Sequence, residues 1–133
     1  MIIHAIGLIA ILIVAAIKKE KIVELSNPGV ISRQLLNPDN SSSKRITITE
    51  VHLESGACQK RHTHNLSEQV WYATKGFGKI LLANNKEIEF RSGDVVRFDS
   101  EEIHGLLNVG DTEFVYISVT APPIHFGYAY NRK

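Results

Sequence analysis

Short segments of β-type sequence, separated by turn-forming residues, follow one another from residue 22 to near the C-terminus. No stretch repeats apolar residues with a helical period for three turns, so helices are not expected to build the core. The pattern predicts an all-β chain whose strands surround one core as a sandwich or barrel. Strands are predicted at 30–36, 45–53, 79–83, 86–90, 95–98 and 113–120.

Turn chemistry supports these boundaries. Asn84-Asn85 lies between two of the predicted strands, and asparagine tolerates the left-handed backbone that a two-residue hairpin needs. Pro122 and Pro123 follow the last strand, because proline cannot donate to a strand ladder. Residues 124–133 are therefore expected to form a tail.

Length and charge narrow the range of functions. The 133 residues suffice for one core, so 22–133 is expected to be a single barrel domain. Fifteen Lys+Arg balance fourteen Asp+Glu, and no basic run exceeds Lys18-Lys19, which argues against a nucleic-acid partner. The single cysteine, Cys58, excludes an internal disulfide.

Residues 1–21 form an apolar N-terminal segment. The run 2–17 is interrupted only by His4 and is followed by three lysines. As a helix it would extend about 24 Å, short of the roughly 30 Å of a bilayer core. An anchor, a leader, a packing element and a start codon placed too far upstream all remain open. The domain is expected in the cytoplasm, and an anchor role of this segment would attach it to the membrane there.

His62-Thr63-His64 is the sharpest chemical feature. Residues two apart on a strand project from the same face, so the two imidazoles can converge on one ion. The amide oxygen of Gln69 is a possible further ligand, and His104 lies further along the chain. Glu68 is the alternative ligand if the strand shifts by one residue, but Gln69 is favoured because its parity also turns Trp71 inward.

The intervals around these residues make the pattern more specific. The chain resembles the cupin superfamily over about 45–120, and the resemblance implies a double-stranded β-helix of jelly-roll type. Carried over by position, the metal ligands are His62, His64, Gln69 and His104. The two motifs read Gly56-x5-His62-x-His64-x4-Gln69-x6-Gly76 and Gly93-x5-Asp99-x-Glu101-x2-His104-x3-Asn108.

The chain departs from the family pattern at three positions. Asp99 and Glu101 stand where proline and glycine are usual, in a turn before His104. Gln69 replaces the usual glutamate, which leaves an all-neutral ligand set around a dication and favours anionic ligands. Such donors suit a divalent transition metal (Mn, Fe, Co, Ni, Cu or Zn) without selecting among them.

Two functions are expected from this site. The first is a metal-dependent enzyme acting on a small oxygenated or carboxylated molecule, of dioxygenase, decarboxylase, lyase or isomerase type. The second is a non-catalytic module that binds or senses a metal or small ligand. Trp71 and Phe98 are expected on the pocket wall, and a homodimer is expected. Candidate proton-transfer residues are Glu50, His52, Tyr72, His125 and Tyr128.

Overall fold

The computed structural model describes residues 14–130. Residues 1–13, which hold most of the predicted N-terminal segment, and 131–133 lie outside the described residues. Only the end of that segment is described, and it includes a short 3-10 helix at Lys19–Lys21. Within the described part, no helix combines the length and the hydropathy needed to cross a bilayer.

The described chain is built from antiparallel strands in two sheets. Strands β1-β2-β3-β10-β5-β8 form one sheet and β4-β9-β6-β7 the other, which confirms the all-β, double-stranded β-helix fold. The strands are β1 Val23–Asn27, β2 Val30–Leu36, β3 Thr47–Leu53, β4 Cys58–His62, β5 Glu68–Lys75, β6 Phe77–Leu82, β7 Glu87–Arg91, β8 Val95–Phe98, β9 His104–Asn108 and β10 Phe114–Ala121.

Alternation of buried and partly buried residues along β3 places the core between the sheets. Strand β3 buries every second residue, and β10 pairs with it in unbroken register from Phe114↔Leu53 to Thr120↔Thr47. Inward residues of one strand therefore meet inward residues of the next. The apolar core contains Leu53, Trp71, Phe90, Phe98, Leu106 and Phe114 among its members.

Local sequence accounts for the tightest turns. Asn84 and Asn85 both have φ of 58° in the hairpin between β6 and β7, as the left-handed preference of asparagine predicts. The predicted tail is wrong in part, since Phe126–Ala129 forms a 3-10 helix. Asn27 on β1 donates its side-chain amide to the carbonyl of Ala129 at 2.9 Å, so this end of the chain packs against the barrel.

Candidate metal centre

Three histidines meet at one end of the barrel. His62 ends β4 and His104 begins β9, and the two are opposite each other in the strand pairing. His64 lies in the loop after β4 rather than on the strand. The ring centroids are 4.5 to 5.3 Å apart, and the candidate ligand atoms lie within 4.8 Å of one another. The residues that sequence reasoning grouped are thus brought together.

Gly105 allows β4 and β9 to lie close together beside the histidines. A Cβ atom at this position would lie 2.6 Å from the carbonyl oxygen of Gln59 on β4. Any larger residue would push β4 away from β9, and with it His62 away from His104. The sequence shows a glycine directly after a candidate ligand, but the need for glycine at this position becomes apparent only from the pairing of β4 with β9.

Gln69 reaches the histidines from the opposite sheet. Its side chain is 4% exposed, and its Oε1 atom lies 3.0 Å from Nε2 of His104. Trp71 donates its indole N–H to Oε1 at 3.2 Å, while Nε2 of Gln69 donates to the hydroxyl of Thr120 at 2.9 Å. The indole N–H can only donate, so the amide atom that it contacts must be the oxygen. This fixes the amide of Gln69 with Oε1 toward the histidines.

Glu68, the alternative ligand, points the other way. One of its carboxylate oxygens lies 2.6 Å from Nε of Arg97, and both side chains are largely exposed. The β5 alternation therefore turns Glu68 to the outer face of the sheet and Gln69 to the interior.

Backbone carbonyls fix the tautomers of two histidines. Nδ1 of His62 lies 2.8 Å from the carbonyl oxygen of Lys60, and Nδ1 of His104 lies 2.8 Å from that of Glu102. A carbonyl can only accept, so each Nδ1 carries a proton and Nε2 is the ring atom left to bind a metal. This is the usual outer-shell arrangement of metal-bound histidine.

Burial keeps the rings of His64 and His104 neutral. Desolvation, helped by the charge of His62, lowers the pKa of His64 to about 4. Desolvation also lowers the pKa of His104 to about 4, against the opposing hydrogen bond to the carbonyl of Glu102. Both side chains are therefore in the form that ligates a metal near neutral pH.

The donor set fits a metal ion on three counts. Nε2 of His64 is buried and has no hydrogen-bond partner among the described residues. Bare Nε2 of His104 faces another acceptor, Oε1 of Gln69, at 3.0 Å. Two ligand atoms at right angles on one ion, with bonds of about 2.1 Å, stand about 3 Å apart. A cation would satisfy atoms that otherwise lack a donor.

A cavity of about 610 Å³ opens beside this cluster. His62, His64, Gln69 and Trp71 lie on its wall. Phe98 does not line the cavity but packs behind His104, with the rings stacked at 4.3 Å and 9°. Trp71 is therefore placed where the sequence suggested, whereas Phe98 supports a histidine ring instead of the wall.

Most of the candidate proton-transfer residues lie elsewhere. Glu50 and His52 alternate with the cavity residues Thr49 and Val51, so they face outward. Tyr72 is exposed, and His125 contacts Asp39 at the surface. Of the five candidates, Tyr128 alone lies on the cavity wall.

Sequence reasoning missed Tyr116. It lies on the cavity wall and donates its hydroxyl to Gln59 at 2.5 Å. Burial, reinforced by the charge of Tyr130, raises the pKa of Tyr116 well above its ordinary value. Its phenol thus stays protonated. The inward parity of Phe114, Tyr116 and Ser118 on the last strand could have indicated it.

The family comparison agrees with the geometry. Residues 49–120 match the model of the cupin domain, a span that contains all four candidate ligands and most of both sheets.

Similar proteins provide further context. An uncharacterised protein of Methanocaldococcus jannaschii is 26% identical over 74% of this chain and 78% of its own length. An oxalate-binding protein of Thermotoga maritima is 27% identical over 64% of this chain and 69% of its own length. The crystal structure of a predicted oxalate decarboxylase from Thermotoga maritima has a TM-score of 0.68 at 23% identity, covering 81% of this chain and 99% of that one.

Proposed function

Because the chain belongs to the cupin family, we propose that it binds one divalent transition-metal ion through His62, His64, His104 and Gln69. The ion holds a small oxygenated or carboxylated molecule in the adjoining cavity. The observation that carries this proposal is the convergence of two buried acceptor atoms that have no donor among the described residues: Nε2 of His64, which has no partner, and Nε2 of His104, which faces the acceptor Oε1 of Gln69.

The charge of the site favours an anion. All four proposed ligands are neutral, so the dication would keep its full charge. Lys60 and Arg61 add positive charge along the wall, while within 14–130 neither Asp nor Glu lines the cavity. The relative from Thermotoga maritima, named for binding oxalate, is consistent with a carboxylate ligand.

Catalytic turnover of the bound molecule is the first candidate function. A bound metal would supply Lewis-acid polarisation of a carboxylate or carbonyl oxygen. The chain's own contributions are to orient the molecule against Trp71 and to hold a proton on the hydroxyl of Tyr116. Decarboxylation, elimination and isomerisation of a small oxygenated acid are the reactions to screen first.

Binding without turnover is the second candidate. The observation in its favour is the lack of a carboxylate base on the described cavity wall. A screen of small carboxylates, sugar acids and enediols with metal-loaded protein separates the two. Product formation supports an enzyme, whereas saturable binding with no product supports a binding or sensor module.

The metal itself is tested first. Purified protein is exposed to several divalent metals, and bound metal is counted by elemental analysis. We expect one equivalent per chain and a loss of at least tenfold in affinity for His62→Ala. His125→Ala, which changes an exposed histidine outside the centre, serves as the matched control. Absence of bound metal, or equal affinities of the two variants, would refute the proposal.

We further propose a cytoplasmic homodimer. The sheets leave edge strands β1, β8, β4 and β7 within the described chain, and an unpaired strand edge invites a second chain. Light scattering should give about twice the chain mass of 14.9 kDa. A mass near that of one chain, or recovery only from a periplasmic or secreted fraction, would count against this.

A further inference from the structure

One buried hydroxyl on the cavity wall has no hydrogen-bond partner within residues 14–130. Ser118 on β10 is 3% exposed and lines the cavity, yet its Oγ atom has no hydrogen-bond partner among the described residues. A buried hydroxyl without a partner costs free energy that an alanine would avoid. The position is therefore one where a bound molecule can supply the missing partner.

Ser118 lies apart from the metal centre. Its neighbour two residues on, Thr120, pairs with Gln69, whereas Ser118 pairs with Trp71 on one side and Thr49 on the other. Because Ser118 and Thr120 are two residues apart on one strand, Ser118 lies about 7 Å from the level of Thr120 and Gln69. A molecule held at the histidines must be extended to reach the hydroxyl.

The size of the cavity agrees with an extended ligand. At about 30 Å³ for each water-sized group, 610 Å³ accommodates roughly twenty such groups. A two-carbon diacid has about a third of that number of non-hydrogen atoms and would leave most of the cavity to water. The far part of the cavity is therefore available to the body of a larger molecule.

The surroundings of Ser118 select a neutral polar group. Thr49 and Tyr116 add hydroxyls on the same inner face, and Ser32 adds another, which accepts a hydrogen bond from Gln34 at 2.8 Å. The positive side chains of the wall, Lys60 and Arg61, are exposed on β4 of the opposite sheet. A second carboxylate would lack a countercharge here, and an alkyl chain would leave Ser118 unpaired.

We propose that Ser118 is a specificity-determining residue that bonds a hydroxyl group on the distal part of a hydroxylated carboxylic acid. The acid is longer than two carbons, and its carboxylate end is held at the metal centre. This inference rests on the proposed function, and it adds a class of ligand: polyhydroxy acids rather than simple diacids.

The test compares two six-carbon acids with the same α-hydroxycarboxylate end. Gluconate carries hydroxyls along its chain, and 2-hydroxyhexanoate does not, while glycolate reports the coordinating end alone. Affinities are measured by calorimetry on the metal-loaded full-length protein. The variant is Ser118→Ala, and the control is Ser92→Ala, whose hydroxyl bonds the carbonyl of Thr74 at an exposed turn.

We expect wild type to bind gluconate at least tenfold more tightly than 2-hydroxyhexanoate. Ser118→Ala should reduce that preference about three- to tenfold through weaker gluconate binding, with metal content and 2-hydroxyhexanoate affinity unchanged. Ser92→Ala should behave as wild type.

Two results would overturn the inference. These are equal affinities of wild type for the two acids, or an equal loss of affinity for both acids in Ser118→Ala. If metal and glycolate still bind, the proposed function stands and the role of Ser118 alone is lost. If neither binds, both proposals are lost.

Discussion

The amide of Gln69 sets the charge of the proposed metal centre. Trp71 donates to its oxygen and Thr120 accepts from its nitrogen, so the side chain is held from both ends. A carboxylate could keep both contacts, since the threonine hydroxyl can also donate. Gln69→Glu therefore changes the charge of the centre with little change in its shape.

We expect Gln69→Glu to bind the metal at least tenfold more tightly and anions more weakly. The added negative charge attracts the dication and cancels part of the charge that draws an anionic ligand. A competition titration with a chromogenic chelator measures the first effect, and glycolate binding measures the second. Gln59→Glu is the matched control, because Gln59 is on the cavity wall but outside the centre. Equal effects of the two variants would show that Gln69 is not a ligand.

Glu101 carries backbone strain beside the centre. It stands where cupins usually have glycine, and its φ is 69°, in the left-handed region. Its backbone N–H donates to the carbonyl of His64 at 2.7 Å, which ties the turn to a candidate ligand. A non-glycine residue in this conformation costs roughly 1 kcal/mol or more.

Glu101→Gly should stabilise the protein by about 0.5 kcal/mol. Relief of the strain exceeds the entropy that the added glycine gives to the unfolded chain. Urea unfolding measures the change. Ser100→Gly, next to it but without a positive φ, should destabilise. Destabilisation by both substitutions to the same extent would contradict the strain argument.

An ion-pair network joins three strands on the outer face of the larger sheet. His52 on β3 lies 2.7 Å from Glu50 and 2.6 Å from Glu113, which directly precedes β10, and Arg33 on β2 lies 2.9 Å from Glu50. Burial alone would lower the pKa of His52, but hydrogen bonds and charges of the two carboxylates outweigh it, and the pKa is raised. The network therefore favours the imidazolium form.

This network should make stability depend on pH. A raised folded-state pKa contributes stability that is complete below the unfolded pKa of about 6.5 and is lost as pH rises through the folded value. The lowered pKa values of His64 and His104 contribute the opposite slope around pH 6.5, so the contribution of His52 is measured as a difference between variants. The urea midpoint of wild type minus that of His52→Gln should fall as pH rises from 6, whereas the midpoints of wild type and of the exposed control His125→Gln should stay parallel. A difference between wild type and His52→Gln that does not change with pH would show that the network does not act in solution.

Strand-level features could be predicted where local chemistry decides them. Strand β2 has the predicted bounds 30–36, and the Asn84-Asn85 hairpin follows from the backbone preference of asparagine. The 3-10 helix at Phe126–Ala129 could not be predicted, because its position depends on Asn27, 102 residues away along the chain from Ala129. Its first residue, Phe126, lies 6.0 Å from the ring of His64.

The candidate site, too, could be predicted from the sequence only in part. Motif spacing identified the three histidines and Gln69. It could not show that His64 lies beyond the strand end, that Phe98 stacks behind His104, or that Glu50 and His52 face outward. Those facts depend on pairing between strands far apart in sequence, which neither composition nor periodicity contains.

At the scale of the whole molecule, the core and the proposed metal centre are adjacent but separable. Phe90, Phe114 and Ile80 pack between the sheets without contributing to the centre. Removal of the metal should therefore lower stability without unfolding the barrel. Metal at one hundred times its Kd stabilises a folded protein by about 2.7 kcal/mol, which corresponds to about 10 °C in Tm for a chain of this size.

Calorimetry of chelator-treated and metal-saturated protein measures this difference, and far-UV circular dichroism reports whether the sheets persist. We expect the chelated protein to keep its β-sheet spectrum and to melt about 10 °C lower. At the same metal concentration His62→Ala should show a metal-induced shift no more than about half as large, since a tenfold weaker affinity leaves about 1.4 kcal/mol of stabilisation. An equal metal-induced shift in wild type and His62→Ala would place the bound ion elsewhere. Loss of the β-sheet spectrum on chelation would mean that the core depends on the metal centre for folding.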